Sequence, residues 1–153
     1  MKKLIALILA FVLCFGLCAC SSSNRTELGS QFIGTYEDKY TLTEYYSGWG
    51  YNNLTHQISC KETLILNGGG TGTFKAVATS SGEHYQSGDV VQEGTVQWTC
   101  DGDYITITFS GFSYNKDYGK NTTKQIDYSV TYEKKAGTLH NASSGNLVYT
   151  KVG

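Results

Sequence analysis

The chain has no proline, one methionine and only two tryptophans, and charged side chains make up just 16% of its 153 residues. Without proline, its sharp turns must rest on glycine, which occurs 18 times, together with asparagine and aspartate. A second long apolar run is also missing. The single run, Leu4 to Leu17, is interrupted only by Cys14 and Gly16. It is shorter than the roughly 18 residues needed to cross a bilayer, which argues against a permanent transmembrane helix. Basic blocks are absent too. Beyond Lys2 and Lys3 the chain carries 10 basic and 13 acidic side chains, a net of −3, mixed along its length, and nothing there points to nucleic acid. No Gly-x-Ser-x-Gly, His-Glu-x-x-His or paired-cysteine set occurs, and His56, His84 and His140 stand singly. The expectation is therefore no catalytic residue, no metal and no cofactor. Asp101-Gly102-Asp103 has acidic residues of a kind calcium uses, but between two strands it reads as a turn.

What is present begins with an export signal. Lys2 and Lys3 precede the apolar run, as a charged segment precedes the hydrophobic segment of a signal peptide. At its end, Leu17-Cys18-Ala19-Cys20 resembles the bacterial lipobox: an aliphatic residue, two small residues, then the cysteine that becomes the mature N-terminus. The resemblance implies diacylglycerol on the Cys20 thiol; the alternative is an ordinary signal peptide cut after Ala19. Ser21-Ser22-Ser23-Asn24 then suits a flexible spacer. Two acyl chains meet what durable anchoring requires, since burial contributes about 0.8 kcal/mol per CH₂ and one chain holds only marginally. The expected division is a signal peptide at 1–19, a lipidated cysteine and tether at 20–30, and one folded domain at 31–153. The expected location is the cell membrane or outer membrane, facing away from the cytoplasm. In that setting the sequons at Asn24, Asn53, Asn121 and Asn141 are incidental.

The domain reads as all-β. Period-2 alternation predicts strands near 32–43, 56–66, 71–79, 90–100, 104–111, 124–134 and 146–152. Asn67-Gly68-Gly69-Gly70, Asp101-Gly102-Asp103 and Ala136-Gly137 have the chemistry of tight hairpins. The expected inward residues are Ile58, Cys60, Leu64, Leu66, Phe74, Ala76, Ala78, Val96, Trp98, Cys100, Ile105, Ile107, Phe109, Ile126, Tyr128, Val130 and Tyr132. Short links favour an antiparallel meander of about seven or eight strands, closed into a barrel to remove free edges, with a two-sheet sandwich as the alternative. The tripeptide Gly-Thr-apolar, at Gly34, Gly72, Gly94 and Gly137, reads as a strand opening.

Gly34-Thr35-Tyr36, the run Asn67 through Phe74, and Tyr149-Thr150-Lys151 together resemble the lipocalin-like lipoproteins of bacteria over roughly residues 31–153. That resemblance implies a small barrel, with an open end that could admit a ligand, and no enzyme activity.

Three features remain. Cys60 and Cys100 are an even pair in an exported domain, open to a disulfide or to two buried thiols. Tyr40, Tyr45, Tyr46, Trp49 and Tyr51 crowd a stretch that also holds Gly48, Gly50, Asn52 and Asn53. Read as a loop, it offers Tyr45, Tyr46, Trp49 and Tyr51 as a ligand-binding surface, or simply as a lid over the core. Tyr114 and Tyr118, in the expected loop Gly111 to Lys124, pose the same choice. Two functional classes follow: a membrane-anchored module binding a small or glycan-like ligand, or a protein-interaction or inhibitor lipoprotein of the envelope.

Overall fold

A computed structural model describes residues 29–48, 51–116 and 121–153. Eight strands run in sequence order around a closed antiparallel barrel, the small lipocalin-like architecture: β1 (Gly34–Gly48), β2 (Tyr51–Asn67), β3 (Thr71–Ala78), β4 (Val90–Asp101), β5 (Tyr104–Asn115), β6 (Thr122–Lys135), β7 (Thr138–Asn141) and β8 (Leu147–Lys151). Helix is confined, among the described residues, to the 3-10 turn Ser30–Phe32. The three expected hairpins fall where the glycine-rich links stand, between β2 and β3, β4 and β5, and β6 and β7. Closure comes from a short ladder in which Tyr36 pairs with Lys151 and Glu37 with Thr150.

Closure is confined to one end. The four-residue β7 and five-residue β8 are much shorter than β1 and β6, which have 15 and 14 residues. Of β6, only 132–135 pair with β7. In the described ladders, 38–48 of β1 pair only with β2, and 122–130 of β6 only with β5. The barrel is therefore sealed at one end and leaves a seam between β6 and β1 at the other, which we call the mouth.

The sealed half is filled by Phe32, Tyr36, Leu64, Leu66, Phe74, Val96, Trp98, Ile105, Ile107, Phe109, Leu139 and Tyr149, all buried. Removing such a side chain from water contributes roughly 1.5–3 kcal/mol each before entropy is charged against it. Phe32 closes the end, its ring centre 6.4 Å from that of Trp98, and its carbonyl accepts from the Tyr36 hydroxyl at 2.9 Å. Burial pushes the Tyr36 hydroxyl up to about 12. Lys151 lies over the Tyr36 ring at 5.8 Å and donates to the Ile33 carbonyl at 2.6 Å, so the two ends of the lipocalin-like pattern meet. Both described chain ends sit here, because Thr35 donates to the Gly153 carbonyl and Val152 to the Thr35 carbonyl.

Several expectations need correction. Residues 40–48 are strand, not loop: the aromatic stretch extends β1 and turns into β2. Likewise β5 continues to Asn115, so Tyr114 lies in a strand. The β-branched and aromatic residues in both stretches suit a pleated surface, and the glycines do not end the ladder until the tips. Gly34 opens β1, Gly72 stands one residue into β3 and Gly137 directly precedes β7, but Gly94 lies inside β4 rather than opening it. Gly94 faces Gly111 across the ladder, and a Cβ there would come within 2.7 Å of the Gly111 Cα and of the Phe74 ring. Close approach, not turn geometry, is what requires that glycine. Cys60 and Cys100 are free thiols in different packing clusters, Cys60 near the mouth and Cys100 against the sealed core, with β3 between their strands. The disulfide allowed by the sequence is not formed in this structure.

Candidate binding groove at the barrel mouth

The mouth half uses the same pleat with different chemistry. β2 alternation carries Ile58, Cys60, Leu64 and Leu66 inward, and the position between Cys60 and Leu64 on that face is Glu62. It is 5% exposed. Its Oε1 accepts from the Tyr149 hydroxyl at 2.5 Å and its Oε2 from Gln92 Nε2 at 2.5 Å. Burial raises the carboxyl above its usual range, while these two hydrogen bonds hold it down in part. Asp38 stands opposite it in the β1–β2 register and is also raised by burial. Tyr40, Tyr128, Tyr132 and Tyr149 lie close enough to feel the Glu62 charge; burial first, and that charge second or lower, pushes each hydroxyl up.

Beside this layer a groove of about 320 Å³ opens along the seam edge of β6 toward β5 and β4, and it takes side chains from both faces of β6. Gln92, Ser113, Lys124, Gln125, Ile126, Asp127 and Tyr128 line it. Tyr128 occupies an inward position, as expected, yet is 46% exposed because the seam beside β6 leaves it uncovered. Its ring stacks on Phe109 at 5.0 Å and 19°. Gln92 is shared, a wall of the groove and a donor to Glu62.

Over the mouth folds the segment 79–89. Glu44, fully buried on β1, holds it: its carboxylate accepts the backbone N–H groups of Glu83 at 2.9 Å, Tyr85 at 3.1 Å and His84. Gly82 lies against that carboxylate and the Ile58 side chain so closely that a Cβ would collide with both. The lid drops Tyr85 into the barrel, 1% exposed, among Ile58, Cys60, Ala76, Ala78 and Val91. The Tyr85 hydroxyl donates to the Tyr114 carbonyl at 3.3 Å and accepts from Lys116 N–H at 3.0 Å. Lys116 also pairs with Asp89 at 2.5 Å, locking the lid to the end of β5.

Of the residues singled out from sequence, Tyr45 and Tyr46 point to opposite faces of β1. Tyr45 is 41% exposed on the outside, and Tyr46 meets the His84 ring of the lid edge-on at 6.4 Å. Tyr51 is in β2; its side chain, and Trp49, Tyr118 and Cys20 with the signal and the tether as far as residue 28, lie outside the described residues. Tyr114 lines a second, outward depression of about 270 Å³ with Glu93 and Lys116. The sequence reading passed over Glu62, Gln92, Glu44 and Asp38. The signal was there for the first two: charged or amide residues at inward register positions between apolar ones.

Among the described residues no helix is long and apolar enough to cross a membrane, and no three His, Cys, Asp or Glu side chains gather as metal ligands. No family model, curated protein or solved structure matches the chain.

Proposed function

We propose that the chain is an extracytoplasmic lipoprotein, tethered through Cys20, whose barrel holds a small glycan-like ligand in the groove at its mouth. The observation that carries the binding reading is Tyr128: an aromatic ring at an inward position, 46% exposed, in a groove whose inner face also carries Gln92 and Ser113. A flat apolar ring on the same face as amide and hydroxyl groups suits a sugar, whose faces are apolar and whose edges hydrogen-bond. The tether is supported by Lys2, Lys3, the apolar run and Leu17-Cys18-Ala19-Cys20. No catalytic step is part of this reading, and nucleic acid is not a partner.

Screening the full chain against a panel of immobilised neutral and amino glycans tests the groove. Binding that Tyr128→Ala weakens tenfold or more, roughly 1.4 kcal/mol, is the expected result; binding untouched by Tyr128→Ala sinks it. In parallel, Cys20→Ala should release the protein from membranes and abolish incorporation of labelled fatty acid. A protein-interaction role is the second reading, favoured by Phe112, 51% exposed on the outer face of β5 two residues from Tyr114.

A further inference from the structure

A strand whose backbone is unpaired on one side is a template for another strand, and proteins ordinarily blunt such an edge with proline, charge or a bulge. The seam leaves two of them, 38–48 of β1 and 122–130 of β6. Along most of it the Cα atoms of β1 and β6 stay more than 8 Å apart, against about 4.8 Å between paired strands. The two edges are not equally protected. β1 ends its free stretch in a bulge between Tyr46 and Gly48, and the lid is fastened to it through Glu44. β6 pairs with β5 without a register shift, contains no proline, and from 122 to 129 is exposed on both faces apart from Ile126.

Hydrogen bonds at its closed end fix which backbone groups β6 offers along the free stretch. The Lys134 N–H donates to the Asp103 carbonyl, next to β5, and the Thr131 carbonyl accepts from Ala142, next to β7. Successive residues of a strand turn their backbone groups to alternate neighbours. In the unbroken register Thr123, Gln125, Asp127 and Ser129 therefore present their N–H and C=O groups to the seam, with side chains on the outer face. Lys124, Ile126, Tyr128 and Val130 alternate with them, bonded to β5 and pointing inward.

We propose that this edge pairs with the same edge of a second copy of the chain, antiparallel about a two-fold axis through Ile126. There the whole free stretch, 122–130, matches itself. Gln125 faces Asp127 of the second copy and Thr123 faces Ser129, all of them seam-facing, and each such pair exchanges both of its hydrogen bonds. A shift of one residue opposes groups that face β5 instead. A shift of two sets Asp127 against Asp127 in one direction, and in the other leaves Ser129 opposite position 121, before β6 begins. In the matched register no like charges meet, Ile126 meets Ile126, and Lys124 stands opposite the Tyr128 ring of the second copy, which at 46% exposure is open to a cation. The pairing does not rest on the glycan reading. Because the groove lies along the same edge, a sugar and a second copy compete for Tyr128.

Sedimentation equilibrium of the full chain in density-matched detergent, over a wide range of concentration, is the test. A reversible monomer–dimer equilibrium is expected. Gln125→Pro removes a seam-facing N–H and leaves the β5 ladder whole, so it should weaken the dimer about tenfold or more, whereas Gln125→Ala, which keeps the N–H, should not. Charge gives a second route that does not depend on how the proline variant folds. Gln125→Asp sets like charges opposite each other and Gln125→Lys sets unlike ones, so dimer affinity should fall with the first and rise with the second, each by about fivefold. A chain that stays monomeric throughout overturns the proposal. So does a dimer that a folded Gln125→Pro leaves intact, or on which the two charges act alike, because it then forms through another surface.

Discussion

The two halves of the barrel share strands, pleat and register but not contents. Toward the sealed end, inward positions hold Leu64, Leu66, Phe74, Val96, Ile107 and Phe109; toward the mouth, the same faces hold Glu62, Gln92, Ser113 and Lys124, with Ala76 and Ala78 under the lid. Alternation decides only which side chains point in. What stands at those positions decides whether an end becomes core or site. Stability is thus concentrated in one half, and the other is free to carry polar groups that a well-packed core would reject.

The contrast is broken most severely in the sealed half. Phe74→Ala, which removes a ring in edge contact with Phe109 at 5.3 Å, should cost about 3–5 kcal/mol in denaturant unfolding. Tyr128→Ala, at the mouth, should cost about 1 kcal/mol or less. Comparable losses at the two sites would mean that the mouth is as much core as the sealed end. Next in size is Glu44→Ala, which leaves the N–H groups of Glu83, His84 and Tyr85 without their acceptor. A loss of about 1–3 kcal/mol is expected, with amide exchange accelerated in 82–89 and unchanged in β2 and β5 near the sealed end.

Acidity sharpens the comparison further. Glu62 and Asp38 are both raised by burial, so the folded state holds their protons more tightly than the unfolded chain does. Their full contribution to stability is present below the ordinary carboxylate range and is lost as pH rises through the raised values. Glu62→Gln should therefore flatten the decline in unfolding midpoint as pH rises above the ordinary carboxylate range. An unchanged slope would place the pH dependence elsewhere. Last, the thiols report each region separately. Cys100, partly exposed, should react with a thiol reagent in the native protein, whereas Cys60, 2% exposed and raised by burial, should react only on unfolding.

Much of the sealed half was legible in the sequence because hydrophobic alternation is the signal that burial leaves. Ile105, Ile107 and Phe109, or Leu64 and Leu66, declare their face by period alone, and the glycine-rich hairpins fix the meander. The mouth was harder to read. Glu62 interrupts an apolar series and looks like a solvent residue until the register forces it inward; Glu44 acts on a segment 39 to 41 positions away, which no local pattern encodes. The tyrosine- and glycine-rich stretch after Tyr40 resembled a loop because its composition suits one, while pairing to β2 holds it as strand. At four residues, β7 is too short to show a period.

The meeting of both described chain ends at the sealed face has a consequence for how the barrel carries load. Gly29 lies against Trp98 and Cys100, and Gly153 is hydrogen-bonded to Thr35, so a load passed to the described chain from either side enters the barrel through the larger of its two core clusters. Pulling on the described chain from either side presses on the plug rather than on the lid.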